Sequence, residues 1–192
     1  MDNYFAILVN KNHPLNRNFI PSDMVEIHEP MGSKLDKSYV NMLNQTAYNA
    51  FKQMQAMALN EGFEIFIDSS YRSYAYQENV FNDVAKEKGL EHTQKYVALP
   101  GTSEHQTALA IDIIYRRNGI MIEDQLDTDS EILWLMNNAH QFGFILRYPL
   151  GKEDITGYSY EPWHYRYVGI ELAFKLYNDN LTLEEYYWQR KR

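Results

Sequence analysis

Four residues in two short stretches have the types and spacing to bind a metal ion and to use it. The stretch from Pro100 to Asp112 opens on a Pro-Gly turn and runs into Leu109-Ala110-Ile111-Asp112-Ile113-Ile114-Tyr115, which reads as a buried strand. A carboxylate in such an apolar run is costly unless it is paired or bound to a metal, which marks Asp112. His105, in the polar turn before it, is placed to supply a second ligand from the same edge of the sheet. Glu161-Pro162-Trp163-His164 lies in another aromatic, strand-like stretch and offers a third ligand, His164, with a Glu close by. Two His and one Asp leave an open position for water on a zinc ion, and Glu161 is placed to take that water's proton. Pro162 argues against a helix there, so the helical His-Glu-x-x-His arrangement is excluded. Taken singly, each residue also has a structural reading, as a core histidine or as an Asp accepting backbone hydrogen bonds. The spacing alone leaves both readings open.

The elements that must position these residues follow from periodicity. A long amphipathic helix is expected over 36–60, with Val40, Leu43, Ala47, Ala50, Phe51, Met54, Met57 and Ala58 as its apolar stripe and Glu61-Gly62 as its end. Phe63 to Asp68 alternates as a strand and leads into Ser69-Ser70-Tyr71-Arg72-Ser73, whose last Ser caps a helix from Tyr74 to about Lys88. That junction can aim Arg72 into a cleft, and Gln77, one turn into the helix, can face the same way; a surface Arg and a solvated Gln are the plain alternatives. Gly89 closes this helix, and a shorter helical piece from Glu91 to Val97 leads to the Pro-Gly turn. Arg116-Arg117-Asn118-Gly119 reads as a hairpin turn. The acidic segment Glu123 to Asp129 reads as a solvated loop without the ligand pattern of an EF-hand. Ser130 to Gln141 is an amphipathic helix with Ile132, Leu133, Leu135 and Met136 inward, and His140 near its end suits the helix dipole. Further strands are expected at Phe5 to Val9, Phe144 to Tyr148 and around Trp163 to Val168. Helices follow at Ile170 to Tyr177 and after Thr182, with Glu185 at the capping-box position. His13 and His28 fall in an irregular stretch and read as polar loop residues.

Composition narrows the class. A chain of 192 residues is most simply one domain, 1–192, long enough to bury a core. Aromatic content of 15%, with 16 Tyr, suits grooves that hold polar ligands. A formal charge of −8 argues against a nucleic-acid partner. No run approaches the ~18 apolar residues of a membrane span. The acidic start carries an apolar run too short for a secretory signal, which favours the cytoplasm. With no cysteine, disulfides and thiolate metal sites are excluded.

The motifs resemble those of one family. Ser103-Glu104-His105 through Asp112 is similar to the Ser-x-His-x-x-Gly-x-Ala-x-Asp motif of the zinc D,D-peptidases of the VanX/VanY group, and Glu161-Pro162-Trp163-His164 to its Glu-x-Trp-His motif. Ser70-Tyr71-Arg72-Ser73, with Gln77 following, resembles its Gly-Tyr-Arg-Ser segment. Asn10 to Leu15, Ala98 to Gly101, Gly143 to Pro149, Glu161 to Gly169 and Thr182 to Tyr186 look like the bifunctional VanXY type of dipeptidase/carboxypeptidase. The resemblance implies that His105, Asp112 and His164 bind one zinc ion, that Glu161 is the catalytic base and that Arg72 stabilises the tetrahedral oxyanion. It implies that Ser103, Gln77 and Tyr71 hold the C-terminal carboxylate and backbone of a peptide ending in D-Ala-D-Ala. It also implies a small α+β domain of the D,D-peptidase/hedgehog-signalling type, with helices packed on an antiparallel sheet and the zinc in a cleft, and an association with vancomycin-type resistance. Two positions depart from the pattern. Ala108 stands in place of the motif Gly, at a cost of about 1–2 kcal/mol if that position takes positive φ. Ser69 stands where VanXY-type members can carry an Asp for the free amine of a dipeptide. The alternatives are an L,D-carboxypeptidase that trims tetrapeptide stems and a zinc-containing, non-catalytic peptidoglycan-binding module.

Overall fold

In the computed structural model, which describes residues 4–28, 41–122 and 124–190, the first regular pairing is a short ribbon. Met24–Glu26 (β1) pairs antiparallel with Met42–Asn44 (β2). Asn44 then turns the chain into Gln45–Asn60 (α1) by accepting from the backbone N–H groups of Thr46 and Ala47. The expected helix over 36–60 is therefore shorter. Leu43 is committed to the ribbon opposite Val25, and 36–40 lies outside the described residues. Ala47, Phe51, Met54 and Ala58 form the buried face of α1, while Met57 is exposed and Ala50 half-buried. Burying Phe51 and Met54 contributes about 1.5–3 kcal/mol each.

The main sheet lies under α1. Glu64–Ser69 (β3) leads to Tyr74–Lys88 (α2), capped by the Ser73 side chain as expected, and then to Leu90–Tyr96 (α3) after Gly89. Ala110–Arg117 (β4) and Ile120–Ile122 (β5) form a hairpin whose turn, Asn118-Gly119, has positive φ at both positions. Ser130–Asn138 (α4) tightens into a 3-10 turn at Ala139–Phe142, and Phe144–Leu146 (β6) and Glu153–Thr156 (α5) follow. His164–Tyr167 (β7), Ile170–Asn178 (α6) and Leu183–Arg190 (α7) complete the order. The strands run β3-β4-β7-β6, all antiparallel, with β5 on the far end of β4. Asp112, on the central strand, is thus in register with Ser69 on one side and His164 on the other. This is the α+β architecture the resemblance implies.

Several local expectations are corrected. Phe5 to Val9 is not a strand; Tyr4–Ala6 is a 3-10 turn and the rest is irregular. Its carbonyls are satisfied by side chains: Phe5 and Ile7 accept from Arg166 Nη2 at 3.1 and 2.8 Å, and Ala6 accepts from Tyr187 Oη. In α4, Trp134 rather than Leu133 turns inward, and its indole donates to Glu61 at 2.9 Å. Asp129 is not solvated, since it holds Arg117 at 3.1 Å and accepts from Tyr115 Oη. His140 is buried and stacks on Tyr177 at 3.7 Å, and burial lowers its pKa. Ring packing therefore explains His140 better than the helix dipole does. The Thr182–Glu185 capping box of α7 is present in both directions, at 2.8 and 3.2 Å.

Candidate metal centre and cleft

The Pro100-Gly101 turn delivers the chain to Glu104–Thr107, one 3-10 turn that places His105 beside the start of β4. Ala108 leaves this turn in the left-handed region, φ 54°, ψ 27°. The departure from the motif Gly therefore lies at a position that prefers glycine and carries about 1–2 kcal/mol of strain. The conformation is held by local bonds: Ala108 N–H donates to His105 O, Asn44 N–H donates to Ala108 O, and Leu109 N–H donates to Thr107 Oγ1. On β7, a second turn in which His164 N–H donates to Glu161 O sets Glu161 above His164.

His105, Asp112 and His164 meet. One ligand atom from each lies within 4.8 Å of the others. Asp112 Oδ1 is 3.3 Å from His105 Nε2 and 3.0 Å from His164 Nδ1. For metal–ligand bonds of 2.0–2.2 Å, tetrahedral zinc needs ligand atoms about 3.3–3.6 Å apart, close to the two distances at Asp112, so this donor set fits. The Nδ1 of His105 lies against Ser70 O, which fixes its proton there and leaves Nε2, buried and without a hydrogen-bond partner, as the free donor. Glu161 Oε2 lies 3.9 Å from His164 Nδ1, its carboxylate partly open to the cleft. Arg72 holds Asp112 Oδ2 at 3.3 Å, and its buried Nε has no partner.

The charges of the site act on one another. Burial pushes the Asp112 carboxyl up, but His105 and His164 beside it outweigh that and hold it well below the usual carboxylate range. Burial, helped by the Arg72 charge, lowers His105 to about 4, so its Nε2 is an unprotonated donor near neutral pH. Burial raises Glu161 above 4.5, in the direction that suits a base able to return its proton.

These residues line one cleft of about 440 Å³ together with Ser103, Gln77, Tyr148, Tyr158 and Trp163. Gln77 Nε2 donates to Ala98 O at 2.9 Å, while its Oε1 is buried without a partner. Ser69 and Tyr71 are not among the lining residues. Ser69 is buried beside Asp112 in the sheet, and Tyr71 N–H donates to Met42 O. The structure adds a buried ion cluster that the sequence reading had not assembled. Glu104 Oε1 accepts from Arg147 Nε and Arg166 Nη1, both at 2.8 Å. Arg147 also grips Glu184 on α7 at 2.9 and 2.6 Å, and Asn10 donates to the same carboxylate at 2.9 Å. Arg147 and Arg166 sit in aromatic strand segments, and only their charge in an otherwise apolar setting could have signalled the cluster.

Comparison with known proteins gives four findings. Residues 40–170 match the family model of VanY, D-alanyl-D-alanine carboxypeptidase. The chain is 36% identical over 183 residues to the bifunctional D-Ala-D-Ala dipeptidase and D-Ala-D-Ala carboxypeptidase VanXYC of Enterococcus gallinarum, covering 94% of this chain and 92% of that one. Among solved structures it resembles the LdcB LD-carboxypeptidase, with TM-score 0.84 and 42% identity over 94% of this chain and 84% of that one. It also resembles a mutant of the vancomycin-resistance D,D-pentapeptidase VanY in complex with Zn(II), with TM-score 0.75 and 31% identity over 95% and 98% of the two chains.

Proposed function

We propose that this chain, which belongs to the VanY family of D-alanyl-D-alanine carboxypeptidases, is a zinc D,D-peptidase that hydrolyses peptides ending in D-Ala-D-Ala, with 1–192 as its catalytic domain. The observation that carries the reading is the convergence of three metal-ligand atoms, a carboxylate with raised pKa and an arginine on one cleft. His105, Asp112 and His164 would hold a zinc ion, which when bound would supply Lewis-acid polarisation and a water of pKa about 7. Glu161, beside His164, accepts the proton from the attacking water and delivers it to the leaving amine of the terminal D-Ala. Arg72 offers a fixed positive charge to the oxyanion that forms at the scissile carbonyl. Ser103 and the free Oε1 of Gln77 are assigned to the peptide's carboxylate and backbone N–H; Ser69 and Tyr71, which do not line the cleft, are left out.

The likeness to LdcB supports a second reading, release of D-Ala from a tetrapeptide after an L-residue. The test is D-Ala release by the zinc-loaded protein from three substrates: D-Ala-D-Ala, a precursor ending in D-Ala-D-Ala, and a tetrapeptide ending in L-Lys-D-Ala. Cleavage of the precursor is expected, and cleavage of the free dipeptide as well would support the bifunctional reading. Cleavage of the tetrapeptide alone would replace the D,D reading by the L,D one. Glu161→Gln is expected to bind zinc at wild-type stoichiometry while turnover falls at least about 100-fold; normal turnover in it would remove the proposed base. Among the described residues, no helix is long and apolar enough to cross a membrane. Placement in the cytoplasm and a part in glycopeptide resistance belong to the same proposal, tested by cell fractionation and by the vancomycin susceptibility of cells expressing the chain.

A further inference from the structure

Two buried polar atoms at the edge of the metal centre have no hydrogen-bond partner, Glu104 Oε2 and His164 Nε2. They face each other at 3.7 Å. Glu104 is fully buried, and its other oxygen is occupied by Arg147 Nε and Arg166 Nη1 at 2.8 Å each. Between two guanidinium groups Glu104 is a carboxylate, which can only accept. Glu104 therefore gives a hydrogen on His164 Nε2 an acceptor, as Asp112 Oδ1 at 3.0 Å does for Nδ1, and a metal held at Nδ1 would take the place of that second hydrogen and leave the one on Nε2. The ring cannot easily turn over to exchange the two nitrogens, because Tyr148 stacks against it at 4.9 Å and 27°. His105 carries the opposite arrangement, with Nδ1 on Ser70 O and Nε2 toward Asp112.

We propose that Glu104 is a positioning residue that holds His164 as its Nε2–H tautomer and so directs Nδ1 into the metal-ligand set. The two ligating histidines then present different nitrogens, one set by a backbone carbonyl and the other by a buried carboxylate. Arg147 and Arg166 keep Glu104 ionised and fixed, and Glu184 takes the other nitrogens of Arg147 without touching Glu104. The inference rests on the reading of His164 as a ligand, and its tests separate the two.

Glu104→Gln keeps the shape of the side chain and one oxygen for both arginines. Its amide nitrogen then points at His164 Nε2, donor against donor, and favours the tautomer with hydrogen on Nδ1. Glu184→Gln perturbs the same Arg147 without touching His164, and serves as the control. Zinc affinity would be measured by competition with a chromophoric chelator, alongside the visible spectrum of the Co(II)-substituted proteins. The expected result is a loss of zinc affinity of about 10–100-fold and an altered Co(II) spectrum in Glu104→Gln. Glu184→Gln should melt earlier yet keep its zinc affinity and spectrum. Wild-type affinity and spectrum in Glu104→Gln, or equal losses in both variants, would overturn the positioning role. A measurement on the unmodified, zinc-loaded protein needs no variant to fold: two-bond ¹H–¹⁵N spectra of the histidines should show one bound through Nε2 and one through Nδ1. Both bound through Nε2 would sink the inference. An unmodified chain that binds no zinc would instead remove the reading beneath it.

Discussion

Arg147→Met removes the centre of the buried ion cluster, and its effect can be worked from the contacts. The Arg147 side chain is 0% exposed, as is that of Glu104, and that of Glu184 is 3% exposed. Three hydrogen bonds at 2.8, 2.9 and 2.6 Å go with it. Glu104 keeps Arg166, but Glu184 is left as a buried carboxylate with the Asn10 amide at 2.9 Å. Removing one partner of such a pair costs about 3–5 kcal/mol, because the remaining charge has lost water and gained nothing. For a chain of this length that corresponds to a fall in Tm of about 6–20 °C. The assay is thermal unfolding followed by circular dichroism, with a chelator present so that metal linkage does not mask the change. Arg147→Met/Glu184→Leu should recover at least half of the loss, since it replaces the pair rather than breaking it. A fall below about 3 °C in the single variant, or a double variant no better than the single one, would refute the reasoning.

Two further perturbations test other parts of the fold. The bond from Tyr115 lowers Asp129 below its ordinary 3.8, and the bond from Arg117 lowers Glu131 below its ordinary 4.5. A depressed folded pKa contributes stability that is present above the unfolded value and is lost as pH falls through the folded one, here from about pH 5 downward. Glu131→Gln should therefore flatten the stability–pH curve below pH 5 by up to about 1 kcal/mol, a modest figure because Arg117 is partly solvated; urea midpoints from pH 7 to pH 3 with an unchanged slope would contradict this. Gly101→Ala should lower the urea midpoint by the equivalent of at least about 1–2 kcal/mol of left-handed strain. Gly101 has φ +87°, and a Cβ there would meet Leu15 O at 2.8 Å. A midpoint equal to wild type would show that the turn can move aside at no cost.

Much of the site was legible because its chemistry is dense in sequence. Asp112 declared itself as a charge in an apolar run, and His105 and Glu161-x-x-His164 declared themselves as turns feeding strands. The α2 helix and the α7 capping box were readable because Ser73 and Thr182 act on neighbours within one turn. What escaped was non-local. Nothing in Phe5-Ala6-Ile7-Leu8-Val9 tells that its carbonyls go to Arg166 and Tyr187 rather than to a strand. The inward turn of Trp134 depends on Glu61, 73 positions away. Glu104 stood in plain view inside the motif, but its role needs Arg147, Arg166 and His164 brought together from three other places. Ala108 is a mixed case: the sequence posed the question of its backbone, and only φ 54° answers it.

Asn10 and Glu184, 174 positions apart, close the same cluster that backs His164. At a synthesis rate of about 5–20 residues per second, on the order of 10–35 s separate their appearance on the ribosome. All three proposed metal ligands emerge before Glu184 does, while Arg147 still waits for half of its counter-charge. The nascent chain thus carries a complete ligand set on an incomplete support. A chain that stops short of α7 would hold the same residues on a less stable fold, with Arg147 buried and half of its counter-charge missing.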